Sequence, residues 1–321
     1  MVQMLQQSFS TEGKPLSLKK MSLSLKKTEV KLPFQKDKDY DVCIIGGGTG
    51  GLTLAQEARK LGLSVAIFDY VTPSPQGSVW GLGGTCVNVG CIPKKLFHIG
   101  TQVEEGTHML ADYGWKGADG LTLKHDWSVL RSNIQNHIKG INFSYKAKMQ
   151  EIGADYINAF ASFENSNEVR FTHGAQNTPY TLKAKHFVIA AGNRPRGYPG
   201  QPELSEYAVT SDDLFGLEED PGKTLVVGGG FVAVECAGFL RGLGKEVIMI
   251  NRSSFLRTMD DDMTFRIIDD MEAHGVQVMT KTVPTGAKKL GDKSFEVELM
   301  TNGEKQKVEV NTILLAIGRS C

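Results

Sequence analysis

Residues 39–51 read DYDVCIIGGGTGG and decide the fold of this 321-residue chain. The first seven positions form a short apolar run that predicts a buried strand, and six glycine-rich positions follow at once. Apolar residues then recur at helical spacing as far as Leu61, and a second predicted strand ends at Asp69. This order of strand, glycine turn, helix and strand is the context that the G-x-G-x-x-G pattern of a dinucleotide-binding unit requires.

Each glycine of this first turn has a physical reason. Gly46 makes the tight turn, Gly48 lets a pyrophosphate approach the backbone, and Gly51 lets the helix pack closely on the strand. We expect the phosphates at the N-terminus of the helix, where free N–H groups and the helix dipole favour anions. Asp69, 18 positions after Gly51, is placed to accept hydrogen bonds from a ribose diol.

The same unit recurs 182 residues later. A strand is predicted over residues 223–227, a helix over 232–243 and a returning strand over 247–250. The three pattern positions between the first strand and the helix are occupied by Gly228, Gly230 and Ala233. Two such units at one internal spacing make a chance match to a single motif improbable. The fold class is therefore α/β with two Rossmann-like dinucleotide-binding domains.

The end of the second unit differs in charge from the end of the first. Asn251 stands where the first unit has its acid, and Arg252 and Arg257 follow it. A neutral residue with nearby arginines suits a ribose 2′-phosphate, which favours NADP(H) over NAD(H).

Two cysteines, Cys86 and Cys91, lie in the segment 84–95, GTCVNVGCIPKK. They are open to interpretation as a structural disulfide, half of a metal site or a redox pair. A metal site normally needs four ligands, and no second close Cys or Cys/His pair exists, so we predict no metal and favour the redox pair. Cys43 and Cys236 stand in apolar settings that are typical of inert buried thiols.

The residues around the dithiol predict its chemistry. Cys91 begins a predicted helix with Pro in its first turn and lysines beside it, which favours the thiolate. We therefore expect Cys91 to face an electron-carrying cofactor and Cys86 to be the more exposed exchange thiol. Glu235 lies in an apolar helical segment and needs a cationic partner, for which Lys94 is the candidate. The alternative for Glu235 is an exposed helix residue.

Composition excludes some classes of partner. The chain has 36 basic and 36 acidic residues, so no global field points to nucleic acid or to an anionic membrane. No apolar run approaches the roughly 18 residues that span a bilayer. The N-terminal segment, residues 1–38, is lysine-rich and lacks a secretory pattern, which predicts a flexible basic tail or linker. We expect a cytoplasmic protein, with the mitochondrion as the alternative because this segment is basic.

Several further stretches carry a resemblance to a known family. They are 69–75 (DYVTPSP), 80–85 (WGLGGT), the dithiol segment through Lys95, 211–215 (SDDLF), 221–227 (PGKTLVV) and 235–240 (ECAGFL). From about residue 40 to 321 the chain resembles the flavin-dependent pyridine nucleotide–disulfide oxidoreductases, which include glutathione reductase and lipoamide dehydrogenase. Within them it is most similar to the large type of thioredoxin reductase, including thioredoxin–glutathione reductase.

The resemblance implies roles for individual residues. Cys91 would be the thiolate facing the flavin, Cys86 the exchange thiol, and Lys94 and Glu235 a catalytic pair beside the flavin. Phe231 stands where relatives usually carry a Tyr over the flavin. The implied FAD contacts are Gly46, Gly48, Thr49, Gly50, Asp69, Thr85 and Lys94. The implied NADPH contacts are Gly228, Gly230, Val232, Arg252 and Arg257. Further cofactor-binding positions are predicted at Gly51, Gly192, Ala233 and Gly318.

The resemblance also predicts function and domain boundaries. Electrons would pass from NADPH through FAD and the dithiol to a disulfide, most plausibly that of thioredoxin, in cell redox homeostasis; glutathione disulfide is the alternative acceptor. We expect an FAD domain over residues 39–192, an NADPH domain over 193–316, and the start of the remaining FAD domain at 317–321. Relatives continue from there into a dimerisation domain with a His–Glu pair, so we expect a C-terminally truncated FAD domain and a homodimer lacking its interface domain. A second hypothesis is a shortened, catalytically defective product that acts at most as a nucleotide-binding module.

Overall fold

The computed structural model describes residues 32–35, 38–117 and 123–321. The predicted tail over residues 1–38 lies largely outside the described residues. Phe34 is nevertheless buried, and its ring contacts Phe171 and Tyr180 edge-on at 5.2 and 5.1 Å. The folded unit accordingly begins at Pro33, ahead of the boundary that the sequence predicted at residue 39.

The first half of the chain builds a six-stranded mixed sheet. Its elements in chain order are β1 (Asp39–Ile45), α1 (Thr49–Lys60), β2 (Val65–Asp69), α2 (Gly84–Val89), α3 (Cys91–His108), α4 (Trp127–Glu151), β3 (Asp155–Asn158), β4 (Ser162–Asn165), β5 (Glu168–His173) and β6 (Thr178–Ile189). The strand order is β3-β2-β1-β6-β5-β4. Strands β3, β2, β1 and the end of β6 run parallel, whereas β4, β5 and β6 pair as antiparallel neighbours. The parallel part is the dinucleotide-binding half that the sequence predicts.

The second half builds a five-stranded parallel sheet. Its elements in chain order are β7 (Arg194–Pro195), α5 (Pro202–Tyr207), β8 (Val209–Thr210), α6 (Ser211–Leu214), β9 (Thr224–Val227), α7 (Phe231–Gly242), β10 (Val247–Ile250), α8 (Asp261–Ala273), β11 (Gln277–Met279), β12 (Thr282–Gly291), β13 (Ser294–Thr301), β14 (Glu304–Val310), β15 (Thr312–Leu315) and β16 (Arg319–Ser320). The parallel order is β11-β10-β9-β15-β8, and β12-β13-β14 form a separate antiparallel sheet. Strands β7 and β16 pair antiparallel.

Packed aromatic rings join the two halves. Phe97 of α3 is fully buried, and its ring stacks on Trp127 of α4 at 4.8 Å and on Phe239 of α7 at 5.2 Å. Rings of this size bury much apolar area and add about 0.5–1.5 kcal/mol per pair beyond that burial. Helix α3, which begins at the second cysteine, is therefore held directly against the helix of the second glycine turn.

The predicted α/β fold class with two Rossmann-like units is confirmed, and so are most elements. Asp126 caps α4, because its side chain accepts a hydrogen bond from the Val129 N–H at 3.1 Å. Strand β4 was not predicted, since three of its four residues are exposed and it has no apolar alternation. Helix α7 begins at Phe231, one residue before the predicted start. Within the described ranges, no helix combines the length and apolarity needed to cross a membrane.

Candidate functional site

The first glycine turn is a cradle from which side chains are excluded. Gly46 has φ 119°, and a Cβ there would lie 2.1 Å from the Ala190 carbonyl oxygen. A Cβ on Gly51 would lie 1.9 Å from the Gly46 carbonyl oxygen, so this position serves helix–strand packing, as predicted. Gly48 caps α1, and Thr49 and Gly50 open its exposed first turn. Free N–H groups at such a turn favour an anionic ligand.

Asp69 closes the turn from the end of β2. Its Oδ1 accepts a hydrogen bond from the Gly47 N–H at 2.9 Å. Burial raises the pKa of the Asp69 carboxyl, and the N–H groups of Gly47 and Tyr70 oppose that rise. The carboxyl thus lies beside the phosphate turn, in the position predicted for the ribose acid.

Helix α2, which carries the first cysteine, begins directly against the same turn. A Cβ on Gly84 would lie 2.6 Å from the Gly48 Cα, and Gly84 has φ 68°. The two backbones approach this closely because neither residue has a side chain. Thr85, the next residue, is consequently brought to the edge of the phosphate turn.

The second turn repeats the backbone geometry with different side chains. Gly228 has φ 142°, and a Cβ there would lie 2.2 Å from the Ala316 carbonyl oxygen. Asn251 donates from Nδ2 to the carbonyl oxygens of Ser254 at 2.7 Å and Ser253 at 3.3 Å. The Asn251 amide therefore organises its own loop, whereas Asp69 bonds to the glycine turn.

An open cavity of about 840 Å³ lies in front of the second turn. The predicted residues among its lining are Gly228, Gly230, Val232, Arg252, Arg257 and Gly318. Both arginine side chains are exposed and free to reach a ligand in the cavity. Ala233 is fully buried and Gly192 is absent from the lining, so the predicted ligand contact is wrong for Ala233 and unsupported by the cavity for Gly192. Ala233 instead packs α7 in the core.

Cys86 and Cys91 are free thiols on the adjoining helices α2 and α3. Burial raises the pKa of Cys86, the neighbouring Cys91 raises it further, and the Lys94 charge opposes the rise. The expectation that Cys86 would be the more exposed thiol is wrong, because Cys86 is partly buried and Cys91 is exposed. The reason is that α2 packs its next three residues into the core, whereas Cys91 opens α3.

Lys94 and Glu235 form an ion pair across the two halves. The Lys94 Nζ lies 2.5 Å from Glu235 Oε2, and the two side chains are 22% and 44% exposed. The same ammonium lies 5.4 Å from the centroid of the Phe231 ring, itself part of the cavity wall. The predicted contact between these residues is present, and Glu235 is also exposed on its helix, as the alternative has it.

A buried carboxylate cluster was missed from the sequence. The Asp212 side chain is 1% exposed and lies between Arg194, at 2.8 Å from Oδ2, and Arg319, at 3.2 Å from Oδ1. Burial raises the pKa of Asp212, and both guanidinium groups oppose that rise. The only sequence signal was the SDDLF stretch, in which two adjacent acids give no indication that one is buried.

The remaining cysteines that the sequence predicts to be inert are indeed enclosed. Cys43 and Cys236 are fully buried, and burial raises the pKa of each thiol to about 12. No group of three or more His, Cys, Asp or Glu side chains in the described segments is arranged to hold a metal ion.

Comparison with known protein families agrees with this arrangement. The family described as pyridine nucleotide-disulphide oxidoreductase matches residues 40–321, which include both glycine turns and the two cysteines. Enzymes of this family bind FAD, use NAD(P)H and act on disulfide substrates. The chain belongs to the pyridine nucleotide–disulphide oxidoreductase family.

Proposed function

We propose that this flavin-dependent oxidoreductase uses NADPH to reduce the disulfide of thioredoxin, as a large-type thioredoxin reductase. The observation that carries the proposal is the placement of the free thiols Cys86 and Cys91 on the adjoining helices α2 and α3, with Lys94 and Glu235 paired nearby. The choice of thioredoxin as acceptor is supported by the resemblance of the dithiol segment and of the stretches around it.

The first turn fits the pyrophosphate of FAD, because side chains are excluded where the phosphates would approach. Asp69 would hold the ribose, and Thr85 would add a hydroxyl beside the turn. The further residues that we assign to FAD are Gly46, Gly48, Thr49, Gly50 and Lys94. Bound FAD supplies two-electron chemistry between a nicotinamide and a dithiol.

The cavity at the second turn fits the other nucleotide. Gly228, Gly230 and Val232 leave the backbone of the turn accessible to a pyrophosphate. Arg252 and Arg257 would bind the ribose 2′-phosphate, where charge-assisted hydrogen bonds are strong. This arrangement favours NADPH over NADH, because Asn251 adds no negative charge beside that phosphate.

Lys94 and Glu235 influence how readily negative charge forms at the dithiol. The ammonium of Lys94 stabilises negative charge, and it already lowers the pKa of Cys86 against the effect of burial. Glu235 fixes the direction of the ammonium through their 2.5 Å contact. Phe231 adds an apolar face but no hydroxyl.

The dithiol performs the exchange step. A Cys86 thiolate attacks one sulfur of the substrate disulfide, the substrate S–S bond breaks, and the departing sulfur takes up a proton. Cys91 then attacks Cys86 in the mixed disulfide and releases the second substrate thiol. The substrate gains two electrons and two protons, which the Cys86–Cys91 pair loses as it becomes a disulfide. We assign contact with the flavin to Cys91 because it is exposed at the start of α3, three residues before Lys94.

An anaerobic titration of the FAD-loaded chain with NADPH tests this function. The first equivalent of NADPH should make two thiols per chain reactive to alkylation while the flavin band persists, because the electron pair passes on to the Cys86–Cys91 disulfide; a second equivalent should then remove the band. The Cys91→Ser variant should lose flavin absorption without yielding the two thiols. Thioredoxin should then be reduced faster than glutathione disulfide at equal concentration; the opposite order would replace the proposed acceptor. A chain that takes up no FAD would overturn the proposed function.

A further inference from the structure

The carboxylate of Asp212 is almost completely buried. A carboxylate that is 1% exposed is costly unless it is paired and hydrogen-bonded. Asp212 meets that condition through two guanidinium groups, one from each strand of the β7–β16 pair. The Asp212 carboxylate therefore neutralises both arginines and also fixes the positions of their side chains.

The two arginines reach different parts of the first half. Arg194 donates to the Thr72 carbonyl oxygen at 2.8 Å and stacks its guanidinium over Trp80 at 4.7 Å. Arg319 donates from Nη2 to Thr85 Oγ1 at 3.2 Å. They share one buried carboxylate, but only Arg319 contacts Thr85, the residue before Cys86.

Arg319 is held in a single orientation by further contacts. Its Nε and Nη2 donate to the side chain and the carbonyl of Asn193 at 2.7 and 2.8 Å, and Nη1 donates to Ser211 Oγ at 3.1 Å. A guanidinium carries five N–H donors in a fixed planar fork. With the fork fixed on four sides, the donor that meets Thr85 cannot rotate away from it.

The Thr85 hydroxyl is consequently restricted in what it can do. A hydroxyl has one O–H donor and two acceptor lone pairs, and a guanidinium has no acceptor. Thr85 must therefore accept from Arg319, and its own O–H has no protein acceptor within the described residues. Gly84, the residue before Thr85, lies against Gly48, so the backbone at Thr85 is adjacent to the phosphate turn.

We propose that Asp212 and Arg319 are positioning residues that commit the Thr85 hydroxyl to donate a hydrogen bond to the FAD pyrophosphate. This inference rests on the proposed function, because it assumes that the first turn binds FAD. The inference implies that disrupting the contact between Asp212 and Arg319 lowers the affinity for FAD more than it lowers the free energy of unfolding.

The test is FAD affinity of the full chain, measured by quenching of flavin fluorescence on titration of the cofactor-free protein. Arg319→Lys keeps a cation for Asp212 but removes the planar fork, and should weaken FAD binding about tenfold, as expected for one hydrogen bond to a charged group. Arg194→Lys is the matched control: it alters the same carboxylate pair without touching Thr85, and FAD affinity should stay within about twofold. Thr85→Ser retains the hydroxyl and should behave likewise.

A double-mutant cycle separates positioning from general stability. Thr85→Val should weaken FAD binding about tenfold, and combining it with Arg319→Lys should cause no further loss. If Arg319→Lys does not fold by circular dichroism, Asp212→Asn frees Arg319 by another route and should give the same loss. If the losses of FAD affinity in Thr85→Val and Arg319→Lys are additive, or if the Arg194 and Arg319 variants lose equal affinity, this inference is wrong and the proposed function is not affected. Absence of FAD binding by the unaltered chain would overturn the proposed function and this inference with it.

Discussion

The two glycine turns share a backbone but differ in the residue that ends the following strand. In both turns the first glycine has a positive φ, and a carbonyl oxygen lies 2.1 to 2.2 Å from where its Cβ would be. In the first turn Asp69 accepts from the Gly47 N–H, whereas in the second Asn251 donates to the carbonyls of its own loop. The same backbone thus presents a carboxylate at one site and an arginine loop at the other.

This difference indicates that the conformation of the glycine turn and the choice of nucleotide depend on different residues. The turn is set by steric exclusion, which both copies need equally. Under the proposed function, the preferred nucleotide depends on one strand-end residue and the loop that it organises. Changes to the turn should therefore affect stability alike in both copies, and changes at the strand end should affect ligand choice in one copy only.

The largest effect is expected from an alanine at the first glycine of either turn. Gly46→Ala and Gly228→Ala should each lower the free energy of unfolding by about 3 kcal/mol or more, because the new Cβ collides with a carbonyl oxygen at a strained φ. Urea denaturation measures this. Gly50→Ala and Gly230→Ala are the controls, since a Cβ at either position has no neighbour within 4 Å. A large loss in one turn but not in the other would break the comparison.

The next effect concerns the arginine loop. Arg252→Gln and Arg257→Gln should each weaken NADPH binding about 10- to 100-fold, the range for one lost charge-assisted hydrogen bond, and leave NADH binding nearly unchanged. Isothermal titration with both nucleotides gives the ratio. Arg266→Gln, an exposed arginine on α8 outside the cavity lining, should change neither. Equal weakening of NADH would show that the two arginines do not read the 2′-phosphate.

A smaller effect is expected at the strand end itself. In Asn251→Asp the carboxylate has no N–H for the carbonyls of Ser253 and Ser254, and it adds negative charge near the arginines. The preference for NADPH over NADH should fall about tenfold, as for loss of one interaction with a charged ligand. The ratio of kcat/KM values for the two nucleotides measures this preference. An unchanged ratio would indicate that the loop keeps its conformation without the Asn251 amide.

The smallest effect is a difference in pH dependence at the first turn. Burial raises the pKa of Asp69 above its ordinary value, so the folded chain retains this proton to higher pH than the unfolded chain. The contribution of Asp69 to the free energy of unfolding is therefore full at low pH and declines as pH rises above about 3.8. Asp69→Asn should remove this decline while keeping an acceptor for the Gly47 N–H. Urea denaturation across this pH range measures the free energy of unfolding of both proteins. If that free energy changes equally with pH in the two proteins, the prediction is wrong.

Local patterns predicted the parts of the site that depend on neighbours along the chain. Both turns and the start of α3 at Cys91 follow from short motifs, because each is determined within a few residues. The Lys94–Glu235 contact was predicted from the need of an acid in an apolar segment for a cation and from the family resemblance. Its 2.5 Å geometry depends on the packing of α3 against α7.

Features set by distant packing were not predicted. The relative exposure of Cys86 and Cys91 depends on how α2 lies in the core, and nothing in their sequence spacing reveals it. The burial of Asp212 depends on strands that meet from positions more than 100 residues apart. Ala233 occupies a pattern position yet faces the core, because the third position of the motif serves helix packing rather than ligand contact.

The sequence by itself determined the two nucleotide units, the close dithiol and the neutral residue at the second strand end. These are local, since a glycine that needs positive φ or a residue that ends a strand is specified by its immediate neighbours. Only the tertiary structure decided that Arg319 meets Thr85, that Asp212 is buried between two arginines, and that Cys91 is the open thiol. Burial and long-range pairing arise when separate elements pack together, and no single segment encodes the surface that another segment will cover.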